Sequence, residues 1–140
     1  MSTPVPDAAA TGFLKDVRHP LLALHREILD ASRAQHESEF GPVSPGEFLQ
    51  IVINGSAYRW LAPLSTLIAA LDDVLDDAEA TSGARVEMAL AVSTMFGSKD
   101  QKSRNAVFDA RYLPMLQTSP EIAVANGQVV RRVQALASGV

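Results

Sequence analysis

The spacing of apolar residues constrains this chain more than any other feature. Between Pro63 and Ala78, Leu64, Leu67, Ile68, Leu71, Val74, Leu75 and Ala78 recur at intervals of three and four. At about 100° per residue that spacing puts them on one side of an α-helix. Similar spacing continues along most of the chain, and alternating runs of β-branched and polar residues do not occur. Ala, the best helix former, accounts for 21 of the 140 residues. A chain patterned this way buries its apolar stripes by packing helix on helix, so the fold class expected is all-α, a compact bundle of five to six helices.

Punctuation gives approximate boundaries. Residues 1–17 hold Pro4, Pro6, Gly12 and an Ala run ahead of any sustained pattern. They read as a flexible N-terminal arm, anchored by Phe13, Leu14 and Val17, with residues 18–140 forming a single helical domain. The first helix is expected near Pro20, where a missing N–H costs nothing at a helix start, with His19 as its cap. It stops at Gly41-Pro42. Ser44, Pro45 and Glu47 form a capping box with proline inside it, the clearest helix start in the chain. Phe48, Leu49, Ile51, Val52 and Ile53 then surround nearly the whole second helix, which predicts its burial. Asn54-Gly55-Ser56 breaks it. Tyr58 to Leu61 is a short aromatic segment leading to the striped helix. There Trp60 reads as a staple against Leu64 or Leu67, or, with Tyr58, as an interface anchor. A fourth helix is expected over Gly83 to Phe96, a polar loop over Gly97 to Ser103, and a fifth helix over Arg104 to Gln117 that Pro114 kinks or ends. Ser119-Pro120-Glu121 opens the last helix.

Composition removes several classes of function. The absence of Cys excludes disulfide scaffolds, thiol catalysis and thiolate metal sites. No run approaches the ~18 apolar residues of a membrane-spanning helix, so no membrane partner is expected. The start MSTPVPDAAATG has neither a basic segment nor an apolar one, so no secretory signal is read and a cytoplasmic location is expected. A net charge of −4 argues against nucleic acid as a partner. No cofactor is expected.

Asp72-Asp73-Val74-Leu75-Asp76-Asp77 is the one string with the form of a motif. Its first five residues fit DDxxD, the aspartate-rich signature of isoprenoid synthases, in which carboxylates one turn apart share Mg²⁺ ions on a diphosphate. Asp72 and Asp76 have that spacing. Those enzymes need about twice this length and a second metal motif, however, and no second acidic motif exists here. An EF-hand counted from Asp76 fails at its third, fifth and sixth positions. The plainer reading is a solvated or salt-bridged helix end, with Arg104, Arg111, Arg131 or Arg132 from a neighbour offsetting the repulsion. With Glu79, this stretch places five negative charges in eight residues, so the acidity of the chain is local.

Three polar residues fall on apolar faces. His25 and Ser32 share the arc of Leu21, Ile28 and Leu29, and Asn126 lies among Ile122, Val129 and Val133. Buried polar groups need partners, so His25 and Asn126 are expected to satisfy each other or to face a small pocket, and all three are the ligand-binding candidates. His36 is about 16 Å from His25 along a helix, too far for one metal. No HExxH or Glu-x-x-His pair exists. Ser44, Ser65 and Ser119 have no His at a useful sequence spacing, and Ser44 and Ser119 read as caps.

Arg18-His19-Pro20-Leu21-Leu22-Ala23-Leu24-His25, Phe40-Gly41-Pro42-Val43-Ser44-Pro45-Gly46-Glu47, Trp60-Leu61-Ala62-Pro63-Leu64-Ser65 and the segment Phe108 to Pro120 together resemble a group of small all-helical bacterial proteins of unknown function. The resemblance implies an all-helical fold and carries over no catalytic residue. Nine Arg against three Lys fits a bacterial source. The function expected is that of a non-enzymatic interaction or oligomerisation module, with a homo-oligomer or a protein as partner, because the second and fourth helices carry more apolar surface than so small a domain buries. The alternative is a bundle that binds a small molecule or divalent metal through the aspartate-rich end or a core polar pocket.

Overall fold

The computed structural model describes residues 7–97 and 106–138. In chain order it contains α1 (Asp7–Phe40), α2 (Pro45–Asn54), a 3₁₀ helix (Ser56–Leu61), α3 (Ala62–Asp76), α4 (Ser82–Gly97), α5 (Ala106–Thr118) and α6 (Pro120–Ser138). Among the described residues the fold is therefore an all-α bundle of six helices. None of these helices is long and apolar enough to cross a membrane.

The spine is α1, whose 34 residues span about 50 Å. Helices α3, α4 and α6 pack along it, and α5 joins the bundle through α6 and the 3₁₀ helix. Ala10, Leu14, Val17, Leu21, Leu24 and Ile28 of α1 are almost wholly buried. Their alternating steps of three and four make a continuous seam of the kind that helices present in supercoiled bundles.

That seam overturns the expected arm. Residues 7–17 are the first turns of α1, with Ala10, Phe13, Leu14 and Val17 in the core. Residues 1–6 lie outside the described residues. Pro20 sits inside the helix and His19 is an exposed mid-helix residue, not a cap. A proline in a helix interior removes one backbone hydrogen bond. Here the apolar register runs unbroken through it, and packing on both sides carries the helix past the lost bond. Pro114 behaves similarly: α5 continues to Thr118, whose hydroxyl donates to the Pro114 carbonyl (3.0 Å).

The start of α2 follows expectation. The Glu47 N–H donates to Ser44 Oγ (3.2 Å), while the Ser44 hydroxyl, in place of the backbone N–H, donates to Glu47 Oε1 (2.9 Å). Its burial does not. Only Phe48 is buried, while Leu49 and Ile53 keep 47% and 65% of their surface exposed. The reason is placement: α2 follows the turn at Gly41 (φ +92°) and rests mainly on the 3₁₀ helix. The fourth helix departs in the opposite direction. Packed between α1, α3 and α6, α4 buries Met88, Ala89, Val92, Met95 and Phe96, and of its large apolar residues Leu90 stays 49% exposed.

In α3, Leu64, Ile68 and Leu71 are buried and Leu67, Val74 and Leu75 pack partly on the core. Ala78 lies beyond the helix end and is exposed. Most of the expected polar loop, from residue 98 onward, lies outside the described residues.

Candidate functional site

The three polar residues of the apolar faces go to three different places. His25 does not meet Asn126. Its Nε2 shares a hydrogen bond with Ser65 Oγ on α3 (2.9 Å), and burial of the imidazole lowers the His25 pKa. Asn126 Oδ1 instead accepts from the hydroxyl of Tyr112 (2.5 Å), a fully buried side chain stacked on Phe108 with ring centroids 4.8 Å apart. That pair lies at the interface of α5 and α6. Ser32 is 4% exposed and lines a cleft.

Ser65 thus has a histidine partner after all, 40 residues away in sequence. A serine hydroxyl on a neutral imidazole is the first half of an acyl-transfer device. The second half, a group that orients the imidazole, is missing among the described residues.

The aspartate-rich end is salt-bridged from an unexpected side. Arg18 of α1 donates from Nε to Asp72 Oδ1 (2.5 Å), and this bond, with the field of Asp76, raises the Arg18 pKa. Asp73, Asp76 and Asp77 are exposed, and Asp77 Oδ1 accepts the Glu79 N–H (2.9 Å), closing the chain after α3. No group of three or more His, Asp or Glu among the described residues is placed to hold a metal. The expected cations are elsewhere: Arg132 faces Asp16 (3.7 Å), Arg131 is exposed on α6, Arg111 lines the cleft, and Arg104 lies outside the described residues.

Ser32, Tyr58 and Trp60 share one cleft. Its volume is about 640 Å³. One wall is the end of α1, with Ser32, His36 and Glu39; another is α5, with Arg111 and Met115; Tyr58 and Trp60 of the 3₁₀ helix lie between them. Aromatic packing holds the α1 side in place. The His36 ring lies 4.9 Å from Phe40 and 5.7 Å from Phe48, and Phe48 meets Tyr58 edge-on at 5.3 Å. On the inner side Trp60, 8% exposed, packs on Phe108 with centroids 6.0 Å apart. Trp60 is therefore a core residue that also walls the cleft, and Tyr58 is half-buried beside it.

Burial raises the Tyr58 pKa; the field of Glu39 pushes in the same direction and that of Arg111 opposes it. Both charges are exposed, and neither forms an ion pair with a described residue. The sequence reading named Ser32, Tyr58 and Trp60, which the fold brings together, but not His36, Glu39 and Arg111 as their companions. A signal for part of this was present: Arg18, His25 and Ser32 are seven residues apart, as are Tyr58, Ser65 and Asp72. The spacing of Arg18 and His25 on α1 matches that of Asp72 and Ser65 on α3, as one seam requires, while Tyr58 lies ahead of α3 in the 3₁₀ segment.

No protein-family model, no curated protein and no solved structure matches this chain.

Proposed function

We propose that this chain is a bacterial, cytoplasmic, non-enzymatic module that associates with a second copy of itself through α2. The observation that carries the reading is the exposure of Leu49 and Ile53, one helical turn apart on a helix whose principal neighbour is a 3₁₀ segment. Phe40, 74% exposed at the end of α1, adds to the apolar surface beside it.

A second copy fits this surface because α2 has a single ionisable side chain, Glu47 in its first turn. An antiparallel pairing of two such helices keeps the two carboxylates at opposite ends and buries no like charges. Closed two-fold dimers are also the commonest assembly, and they use the same patch twice. Burying the exposed parts of Leu49 and Ile53 is worth about 1–2 kcal/mol each, hence roughly 4–8 kcal/mol for a two-fold contact. Once the cost of association is subtracted, and with Phe40 contributing as well, that supports only a weak dimer, with a Kd of about a millimolar.

Sedimentation velocity over a wide concentration range tests this. The weight-average mass of the native chain should rise with concentration. The Leu49→Lys/Ile53→Lys variant should remain at the monomer mass with an unchanged helical circular dichroism spectrum. A native chain that sediments as a monomer up to millimolar concentration refutes the proposal.

A further inference from the structure

We propose that the cleft between the end of α1 and α5 binds a small zwitterion carrying a flat apolar ring, the chemistry that a free aromatic amino acid presents. This cleft adjoins the association surface, since Phe40 at the end of α1 and Ile51 of α2 line it, but Leu49 and Ile53 do not.

Size comes first. A volume of about 640 Å³ falls within the range of roughly 300–1,000 Å³ that encloses small molecules, and it is far larger than a packing defect. The lining then sets the chemistry. Tyr58, Trp60 and Met115 give it faces that pack against a ring, because aromatic and thioether side chains make favourable contacts with π systems. Ser32 supplies a hydroxyl on the buried side. Apart from Tyr112 and Trp60, it is the one buried side chain with a hydrogen-bonding oxygen or nitrogen among the described residues. A few polar groups placed in an otherwise apolar lining are what orients a bound ligand.

The charges decide the class. Glu39 projects from the last turn of α1, where the helix dipole is also negative, and Arg111 comes from α5. The fields of both reach the Tyr58 hydroxyl, so both bear on the same region of the cleft. They do not pair with each other within 4 Å, and no other described residue neutralises either. An arginine available for bidentate bonding selects a carboxylate, and a free glutamate at a helix C-terminus selects an ammonium group. A ligand with one charge would answer half of this arrangement. A zwitterion answers both, with its ring directed to Trp60 and Met115.

Trp60 is the only tryptophan of the chain and lines both this cleft and the neighbouring one at Arg59 and Val107; Glu39 lines only the former, so the response to Glu39→Gln assigns the signal. The full-length protein is titrated with L-phenylalanine, with phenylacetate, which lacks the ammonium group, and with phenethylamine, which lacks the carboxylate. Phenylalanine should give a saturable change in Trp60 emission with a Kd about tenfold below that of either single-charge probe, since one charge-assisted contact is worth about a factor of ten or more. Arg111→Gln should raise the Kd for phenylalanine about tenfold and leave that for phenethylamine unchanged. Glu39→Gln should raise it similarly and leave that for phenylacetate unchanged. Both residues are exposed, and the melting temperature of each variant should equal that of the native chain. The proposal is overturned if no probe gives a saturable change at ~20 mM, far above the weakest affinities worth calling binding. It is equally overturned if a single-charge probe binds as tightly as phenylalanine, or if the two substitutions weaken all three probes alike.

Discussion

Replacing Leu14 with Ala tests the most consequential departure from the expected architecture, the incorporation of residues 7–17 into α1. Leu14 is fully buried, whereas its neighbour Lys15 is exposed on the same helical turn. Leu→Ala deletes three carbons, worth about 0.8 kcal/mol each in transfer, so about 2.4 kcal/mol is lost before any cavity is counted. Helix packing around Leu14 is continuous on both sides, through Ala10, Phe13 and Val17, so the site cannot collapse freely. A residual cavity raises the expected loss to about 3–4 kcal/mol, inside the range of roughly 2–5 kcal/mol seen for such changes. Total stability is of order 5–15 kcal/mol, so this is a large fraction of it. For 140 residues the unfolding entropy near the midpoint is about 0.3 kcal/mol/K, and the melting temperature should fall by about 10 °C. Urea unfolding followed by circular dichroism measures the change directly, with Lys15→Ala as the control that removes a side chain from the same segment without opening a cavity. That control should stay within about 0.5 kcal/mol of the native chain. A flexible arm predicts equal, negligible effects for both variants. If Leu14→Ala also stays within about 0.5 kcal/mol, α1 does not begin where the structure places it, and the continuous seam is wrong.

Two further outcomes follow from the buried polar contacts. Tyr112→Phe removes the hydroxyl that Asn126 Oδ1 accepts from and leaves the fully buried ring in place. The expected cost is about 1–2 kcal/mol, because a partly buried acceptor is left without its donor, and equal urea midpoints for the two proteins would show that the bond contributes nothing. His25 makes stability pH-dependent: burial lowers its pKa below the ordinary 6.5, so the unfolded chain takes up the proton first as pH falls. Stability should therefore decline as pH drops below 6.5 and level off below the folded-state value. Glu37, held low by Arg33 and the Val43 N–H, loses its contribution only as pH falls through and below its ordinary value of 4.5, so a comparison of pH 7.5 with pH 5 isolates the histidine. His25→Gln should flatten that dependence, and an unchanged slope in the variant would remove His25 as its source.

Sequence pattern read correctly wherever a single helix determines the answer. The Ser44–Glu47 start, the stripe from Leu64 to Leu75 and the Ser119 start of α6 are local facts, and the structure contains each of them. It misread Pro20 because a local rule about proline competed with a longer one: the three-and-four register of Leu14, Val17, Leu21 and Leu24 passes through it. The burial of α2 was misjudged because an all-round apolar helix says that it should be covered, and says nothing of whether this chain has an element left to cover it. Partners were the least legible. Asn126 and His25 both needed a hydrogen bond, and composition made them candidates for each other. The choice between Tyr112 and His25, or between Asn126 and Ser65, depends on the relative rotation and offset of helices, which no single helix encodes.

That offset has a physical origin in the polar residues of the seam between α1 and the α3 side. Stepping along α1 from Arg18 to His25 to Ser32, one passes Asp72, then Ser65, then Tyr58 in reverse order. The first pair is an ion pair, the second a hydrogen bond, and the third lines the cleft. Apolar residues alone would fix this alignment poorly, because a slide of one heptad replaces one buried Leu or Ile with another and conserves the seam. The polar residues do not survive such a slide. Moved one way, Arg18 would face Ser65 and Asp72 would lose its cation. Moved the other way, Arg18 would need Glu79, which lies beyond the end of α3. An exposed ion pair contributes little to stability as such. Its value here lies in what it forbids, a role for which single polar residues in helical seams are well suited. Beyond these two pairs, Ser32 and Tyr58 both line the cleft. Ion pair, hydrogen bond and cleft therefore follow one another along α1 at Arg18, His25 and Ser32.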